Sequence, residues 1–234
     1  KMLQQADLRW IIAGMVCLIL MWLCDAINLQ IMLKRLYPAQ KFTNSLKVTM
    51  IGNLFSNITP SSSGGQPMQA YFLAKTGKKP SDSFSILMMK FVITQTTLII
   101  LTIIIGITQF DFFAKVLKQY TWIGILGIIL NVGLLLFIVL AGIKEGFLIK
   151  IANPIISFLS KLKIGKHKLI KNEEKAIEKF DSGVENFSEQ FIKMKQEKRL
   201  VAKVTIIGLI QSALYYTITY TVYKSFGNSG ANLL

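Results

Sequence analysis

The chain has 234 residues, of which 52% are hydrophobic and 17% charged, whereas a typical soluble domain has about 25% charged residues. Its apolar residues form blocks too long for ordinary core helices, which is typical of a membrane protein and excludes a water-soluble enzyme. The formal net charge of +15 comes from 27 lysines and arginines against 12 acidic residues. We interpret this charge first as a signal of membrane topology, and we predict no direct nucleic-acid partner.

Metal and nucleophile chemistry have few candidate residues here. His167 is the only histidine, so zinc sites and histidine-based triads have almost nothing to build on. Cys17 and Cys24 share one apolar block, and we interpret them as packing residues. No phosphate-binding Gly-x-x-x-x-Gly-Lys sequence is present. The sequence therefore predicts no metal, no cofactor and no catalytic residue in this chain.

Four long apolar blocks predict membrane-spanning helices, because about 20 apolar residues cross the hydrocarbon core. They lie at about 8–33, 84–107, 120–143 and 200–226. Asp25 interrupts the first block and Lys90 is the only charge in the second. The predicted fold class is all-α, a polytopic bundle of transmembrane helices.

Basic residues predict the orientation of these spans. Seven lie between the first two spans and fourteen from Lys144 to Lys203, in the last connection and at the start of the last span, against five on the opposite side. The positive-inside rule therefore places both of these connections in the cytoplasm. The first residue would then lie outside without a signal peptide, so we expect a preceding helix and interpret 1–234 as a fragment of one larger transmembrane domain.

The connection at 144–199 contains a predicted amphipathic helix. Its apolar residues recur at spacings of three and four, which puts them on one helical face: Ile177, Phe180, Val184, Phe187, Phe191 and Met194. Two interpretations stay open. The apolar stretch before this helix, Phe147 to Leu162, either lies in the headgroup layer as a broken helix or belongs to a solvated loop that follows the positive-inside rule.

The segment at 42–73 carries the most informative motif. Phe42 to Ile58 is apolar enough to enter the membrane, but it contains Lys47, Asn53 and Asn57 and leads into a serine-glycine run. Non-helical backbone at membrane depth is tolerated only when it is buried in protein or lines a wet cavity. This pattern predicts a re-entrant hairpin or a broken helix, and the alternative is a plain cytoplasmic loop.

Polar groups of this motif are the main candidates for binding a lipid headgroup or phosphate. Paired glycines allow close approach of backbone to backbone or to a ligand, and N–H groups and hydroxyls can coordinate a phosphate. The candidate residues are Asn57, Thr59, Ser61, Gly64, Gly65, Gln66 and Gln69.

Asp25 and Lys90 are further candidates, because a charge in the bilayer is costly and usually pairs. At 1.5 Å per residue both lie about 9 to 13 Å inside the predicted cytoplasmic boundary. Three interpretations stay open: the two residues form an ion pair, Lys90 binds a lipid headgroup, or the Lys90 side chain extends to the membrane interface. Gln95 and Asn131 are predicted to make interhelical hydrogen bonds.

The motif resembles the transmembrane flippase region of the lysylphosphatidylglycerol synthase family. The resemblance is carried by Asn57-Ile58-Thr59-Pro60, Gly64-Gly65 and Gln69-Ala70-Tyr71-Phe72-Leu73, and by Lys90 where relatives have a basic residue. Two departures are Gln66, where many relatives are acidic, and Gln69, where they have arginine. A later Pro-Gly-Gly-rich motif of the family lies beyond the last residue of this chain.

The resemblance implies a multi-pass protein of the bacterial plasma membrane that binds or flips an amphiphilic lipid such as lysyl-phosphatidylglycerol. Such transport contributes to resistance to cationic antimicrobial peptides. The implied partner is an anionic or aminoacylated phospholipid, and a homo-oligomer is possible. The alternatives are the membrane part of a phosphatidylglycerol lysyltransferase whose catalytic domain is absent here, and a scaffold without transport.

Overall fold

The computed structural model describes residues 7–108, 121–161, 163–164, 167–168 and 173–226. Eight α-helices occur in these ranges: α1 Leu8–Leu36, α2 Phe42–Ile58, α3 Gly65–Lys75, α4 Pro80–Thr108, α5 Thr121–Ile143, α6 Glu145–Lys161, α7 Glu173–Gln196 and α8 Lys198–Ser225. Between α6 and α7, Lys163–Ile164 pairs antiparallel with His167–Lys168. Lys115 and Lys118, which the positive-inside rule predicts on the outer side, and Asn172, the predicted N-cap of the amphipathic helix, lie outside the described residues.

The four predicted membrane spans are confirmed as long apolar helices. Those long and apolar enough to cross a membrane are Leu8–Leu36, Pro80–Thr108, Leu126–Ile143 and Lys198–Ser225. Three of them extend beyond the predicted bounds into polar sequence. For example, α1 continues through Lys34 and Arg35, and α4 already begins at Pro80. Backbone hydrogen bonding continues a helix past the hydrocarbon boundary, whereas hydropathy marks only the part within it.

The first compact unit comprises Lys1–Gln69 and Arg199–Leu234. At one end of α1, the rings of Trp10 and Tyr220 meet edge to face with centroids 6.0 Å apart. Gly14 lies against Thr221, where a Cβ would be 2.9 Å from the hydroxyl oxygen. Small residues of this kind let membrane helices approach closely, so α1 and α8 pack together here.

A buried ring of polar groups joins α1 to α2 at the other end of α1. Gln30 Nε2 donates to the Gln40 carbonyl at 2.7 Å, and Gln40 Nε2 donates to Ser45 Oγ at 3.0 Å. Ser45 Oγ in turn donates to Gln30 Oε1. All three residues are buried. Because every hydrogen bond here is shielded from water, the ring fixes the direction in which α2 leaves α1.

The second compact unit is Ala70–Lys198, and α7 packs against α4, α5 and α6 within it. Val184, Phe187, Phe191 and Met194 of the amphipathic stripe are buried. Ser188 Oγ donates to the Gly142 carbonyl at 2.8 Å. The stripe therefore covers apolar surface of this unit. This contact is favourable because it removes apolar side chains on both sides from water.

Two further contacts of the second unit concern polar side chains. Ser85 Oγ donates to the Phe187 carbonyl at 3.1 Å, which ties α4 to α7. Gln95 Nε2 donates to Asn131 Oδ1 at 3.3 Å, so the interhelical hydrogen bond expected from the sequence between α4 and α5 is confirmed.

The orientation of the spans gives a first testable prediction. Single cysteines at Gly77 and Val116, in a background without Cys17 and Cys24, should react oppositely with an impermeant thiol reagent on intact cells. We expect labelling at position 116 and none at position 77, because the basic residues concentrate on the side of Gly77. Permeabilised cells supply the control, since both positions should then react. Labelling of intact cells at position 77 alone would reverse the assignment.

Candidate functional site

The predicted broken helix is present as a helical hairpin formed by α2 and α3. The 17 residues of α2 and the 11 of α3 are about 25 and 16 Å long, so neither crosses a hydrocarbon core of about 30 Å. The break runs from Thr59 to Gly64 and contains the short 3₁₀ helix Pro60–Ser62. Only this short stretch departs from α-helix, so the hairpin keeps most of its backbone hydrogen bonds internal.

Thr59 holds the turn of the hairpin. Its hydroxyl donates to the Phe55 carbonyl at 2.6 Å and accepts the Gly64 N–H at 2.9 Å. Ser62, at the exposed side of the turn, has φ +54° in the left-handed region. A non-glycine residue rarely adopts this conformation, so the turn imposes backbone strain at Ser62.

The paired glycines lie where the hairpin has no space for side chains. A Cβ at Gly65 would collide with the Ser56 hydroxyl and lie 2.9 Å from the Gly52 carbonyl oxygen. A Cβ at Gly64 would lie 2.6 Å from Thr59 Cγ2. One turn further along α3, the side chain of Gln69 lies over Gly52. A Cβ added at Gly52 would overlap the amide group of Gln69. The first turn of α3, Gly65 to Gln69, therefore lies directly on α2, and the chain folds back antiparallel there.

The candidate side chains of the motif differ in their access to solvent or lipid. Asn57 is exposed, Thr59 and Gln66 are half-buried, and Gln69 is buried against Gly52. Ser62 and Ser63, which belong to the serine-glycine run but not to the named candidates, are exposed at the turn. The side chain of Ser61 is outside the described part. A ligand can therefore reach Asn57 and the turn, whereas Gln69 packs inside the hairpin.

The chain matches a known protein family. Residues 1–232 match the family described as lysylphosphatidylglycerol synthase TM region. The chain belongs to this family. It is 24% identical over 232 residues to a UPF0104 membrane protein of Pyrococcus horikoshii, a match that covers 97% of this chain and 67% of that protein. No solved structure matches the chain.

Membership of the lysylphosphatidylglycerol synthase TM family, together with the four apolar helices, identifies a multi-pass membrane protein. The relative from Pyrococcus horikoshii is archaeal, so membership does not by itself indicate a bacterial membrane. The resemblance expected from the hairpin motif is confirmed over nearly the whole chain, including the four spans and the segment between them.

Two hairpin residues of this family member were not singled out from the sequence. Gly52 and Ser56 form the surface of α2 that receives Gly65. The available signal was their spacing of four, which puts two small residues on one helical face in the manner of membrane helix contacts. The sequence shows this spacing, but it does not show which helix lies against it.

Asp25 and Lys90 are half-buried in α1 and α4, the first in one compact unit and the second in the other. Their pairing stays a prediction. In the described residues, no three histidine, cysteine or acidic side chains come together to hold a metal ion.

Proposed function

We propose that this chain binds and translocates an amphiphilic phospholipid, with the α2–α3 hairpin contacting the headgroup. The observation that carries the proposal is the hairpin itself: a tightly closed turn with exposed polar groups in a chain whose neighbouring helices are long enough to cross a membrane. In a hairpin that enters the membrane, polar groups are costly to maintain, so a function is the usual reason for them.

The turn supplies groups that suit a phosphate. The first turn of α3 begins at Gly65, and a helix N-terminus presents backbone N–H groups and partial positive charge. Asn57 and Ser63 are exposed nearby in sequence. The Asn57 amide can donate to a phosphate, and the Ser63 hydroxyl, which donates to the Pro60 carbonyl at 2.9 Å, can do so by exchanging that acceptor for the phosphate. Because Gln66 and Gln69 are uncharged amides, the recognised chemistry is the phosphate that anionic and aminoacylated phospholipids share, rather than a charge specific to one headgroup.

The test changes two exposed side chains at the turn, one of which, Ser63, also donates to the Pro60 carbonyl. In the full-length protein, Asn57→Ala with Ser63→Ala should slow lipid translocation at least tenfold, because each hydrogen bond to a charged group contributes about 1.5–3 kcal/mol. The measurement is dithionite bleaching of fluorescent phosphatidylglycerol in proteoliposomes. Thr96→Ala with Thr108→Ala is the matched control, since both hydroxyls are exposed and donate to their own helix.

The outcomes separate lipid translocation from the two alternatives, the membrane part of a lysyltransferase and a scaffold without transport. A slower rate in the hairpin variant with a normal rate in the control supports the proposal. A normal rate in both variants contradicts the role of the hairpin. No translocation by the unaltered protein favours the scaffold or the lysyltransferase interpretation, and the family description, which names a synthase, supports the latter. A soluble catalytic domain in the full-length reading frame would then identify the enzyme.

The setting of this function is part of the same proposal. We place the protein in the plasma membrane of a prokaryotic cell, where aminoacylated lipid moved to the outer leaflet would reduce the attraction of cationic antimicrobial peptides. The concentration of basic residues in the two predicted cytoplasmic connections supports uptake of an anionic lipid from the inner leaflet.

A further inference from the structure

A second lipid site is indicated at the start of α4, away from the hairpin. Here a groove of about 410 Å³ lies between the first turns of α4, Leu148 of α6 and one face of α7. Its lining is almost entirely apolar: Pro80, Ser81, Phe84, Leu148, Phe180, Gly183, Val184 and Phe187. All of these residues belong to the second compact unit.

The groove has a closed floor and an open mouth. Phe187 and Val184 are 3% and 5% exposed, while Phe84, whose ring centroid is 5.3 Å from that of Phe187, is 44% exposed. Gly183 leaves the wall open, since a Cβ there would have no atom within 4 Å. An apolar surface of this kind favours an apolar occupant.

The position of the groove along α4 indicates which kind of molecule can occupy it. The 29 residues of α4 are about 43 Å long, which exceeds a hydrocarbon core of about 30 Å. Polar residues, including Asp82, occupy the first turn of α4, and the predicted apolar span begins only at Phe84, so we expect the first turns of α4 at a boundary of the membrane. At that level, lipid acyl chains are the abundant apolar material.

Positive charge borders the same end of the groove. Lys78 and Lys79 directly precede Pro80. Lys78 Nζ donates to Thr76 Oγ1 at 3.0 Å, and partial burial lowers the pKa of Lys78 by desolvation. Lys79 is exposed and Lys78 half-buried, and both adjoin in sequence the groove residue Pro80, so positive charge is available to a lipid with an anionic headgroup at this end.

We propose that this groove holds one acyl chain of a phospholipid whose anionic headgroup lies over Lys78 and Lys79. The lipid is a resident of the predicted cytoplasmic leaflet, bound between α4, α6 and α7. This site shares no residue with the hairpin, so the inference does not depend on translocation.

Filling the groove tests the proposal. In the full-length protein, Gly183→Leu should reduce the fraction carrying one bound phosphatidylglycerol at least fivefold, because the leucine side chain takes the place of the acyl chain. The leucine has open space and a higher helix propensity than glycine, so folding should not suffer. Native mass spectrometry after addition of phosphatidylglycerol or phosphatidylcholine of equal chain length gives the readout. Gly146→Leu, on α6 with equally open surroundings, is the matched control.

The headgroup is tested separately. Lys78→Gln with Lys79→Gln should remove the preference for phosphatidylglycerol over phosphatidylcholine, while Lys195→Gln with Lys198→Gln, which removes the same charge elsewhere, should keep it. Equal binding of both lipids to the unaltered protein, or unchanged binding in Gly183→Leu, would overturn the proposal. A dimer that dissociates in Gly183→Leu would show a second copy of the chain in the groove and would also overturn it.

Discussion

Gly65→Ala should destabilise the hairpin by about 1–3 kcal/mol, the usual cost of adding a methyl group to a tightly packed site. The added Cβ meets the Ser56 hydroxyl and the Gly52 carbonyl oxygen, and the latter belongs to the backbone of α2, so α3 must move away. We expect a lower unfolding temperature in detergent. In addition, a single cysteine at Ser56 should react faster with a thiol reagent in the Gly65→Ala background.

Companion variants distinguish this clash from a general effect of alanine. Gly52→Ala meets mainly the side chain of Gln69, so adding Gln69→Ala should restore most of the lost stability. Adding Ser56→Gly to Gly65→Ala should restore less, because the Gly52 carbonyl oxygen stays 2.9 Å from the new Cβ. Gly106→Ala, which has open space, should be neutral or slightly stabilising. Equal losses in Gly65→Ala and Gly106→Ala would contradict the close-packing explanation.

The spans and the break in the hairpin were predictable because they depend on local properties of the chain. Membrane thickness sets the length of an apolar helix, so the blocks at 84–107 and 120–143 mark α4 and α5. Pro60 following Thr59 similarly marks the end of α2, since the residue before a proline disfavours helical geometry. Each of these features needs only a few neighbouring residues to be recognised.

The partners of the motif residues were not predictable, because they come from other parts of the chain. Gln69 looks like a candidate headgroup ligand in the sequence, yet it is buried against Gly52, seventeen positions earlier. Gly65 is explained by Ser56 and Gly52 rather than by its own neighbours. A spacing of small residues shows that a close contact is possible, but only the folded chain shows which surface fills it.

The amphipathic helix α7 illustrates the same difference. Its spacing of apolar residues correctly predicts a helix with one apolar face, including Phe187 and Phe191. The periodicity cannot distinguish lipid, water-exposed loop or protein as the neighbour of that face. In the structure the neighbour is protein: the Phe191 ring lies against Gly142 of α5, where a side chain would leave no space for it.

The charges of Asp25 and Lys90 give the second prediction with a large expected effect. If the two form an ion pair, Lys90→Met should lower folded yield, because it leaves the half-buried Asp25 carboxylate without its counter-charge unless the carboxyl group takes up a proton. If Lys90 holds a lipid phosphate, the same change should impair translocation with little loss of folded protein. Folded yield in detergent and translocation in proteoliposomes are measured on the full-length protein.

The double variant Asp25→Asn with Lys90→Met separates the two roles. Under the pairing hypothesis it should recover the folded yield, because no carboxylate is left without its counter-charge. Under the headgroup hypothesis it should stay as slow in translocation as Lys90→Met, because the cation that meets the phosphate is still missing. Lys198→Met, at the start of α8, controls for loss of one positive charge at a helix end. Normal yield and normal translocation in Lys90→Met would contradict both hypotheses, and would indicate that Lys90 extends to the interface, where its charge contacts water.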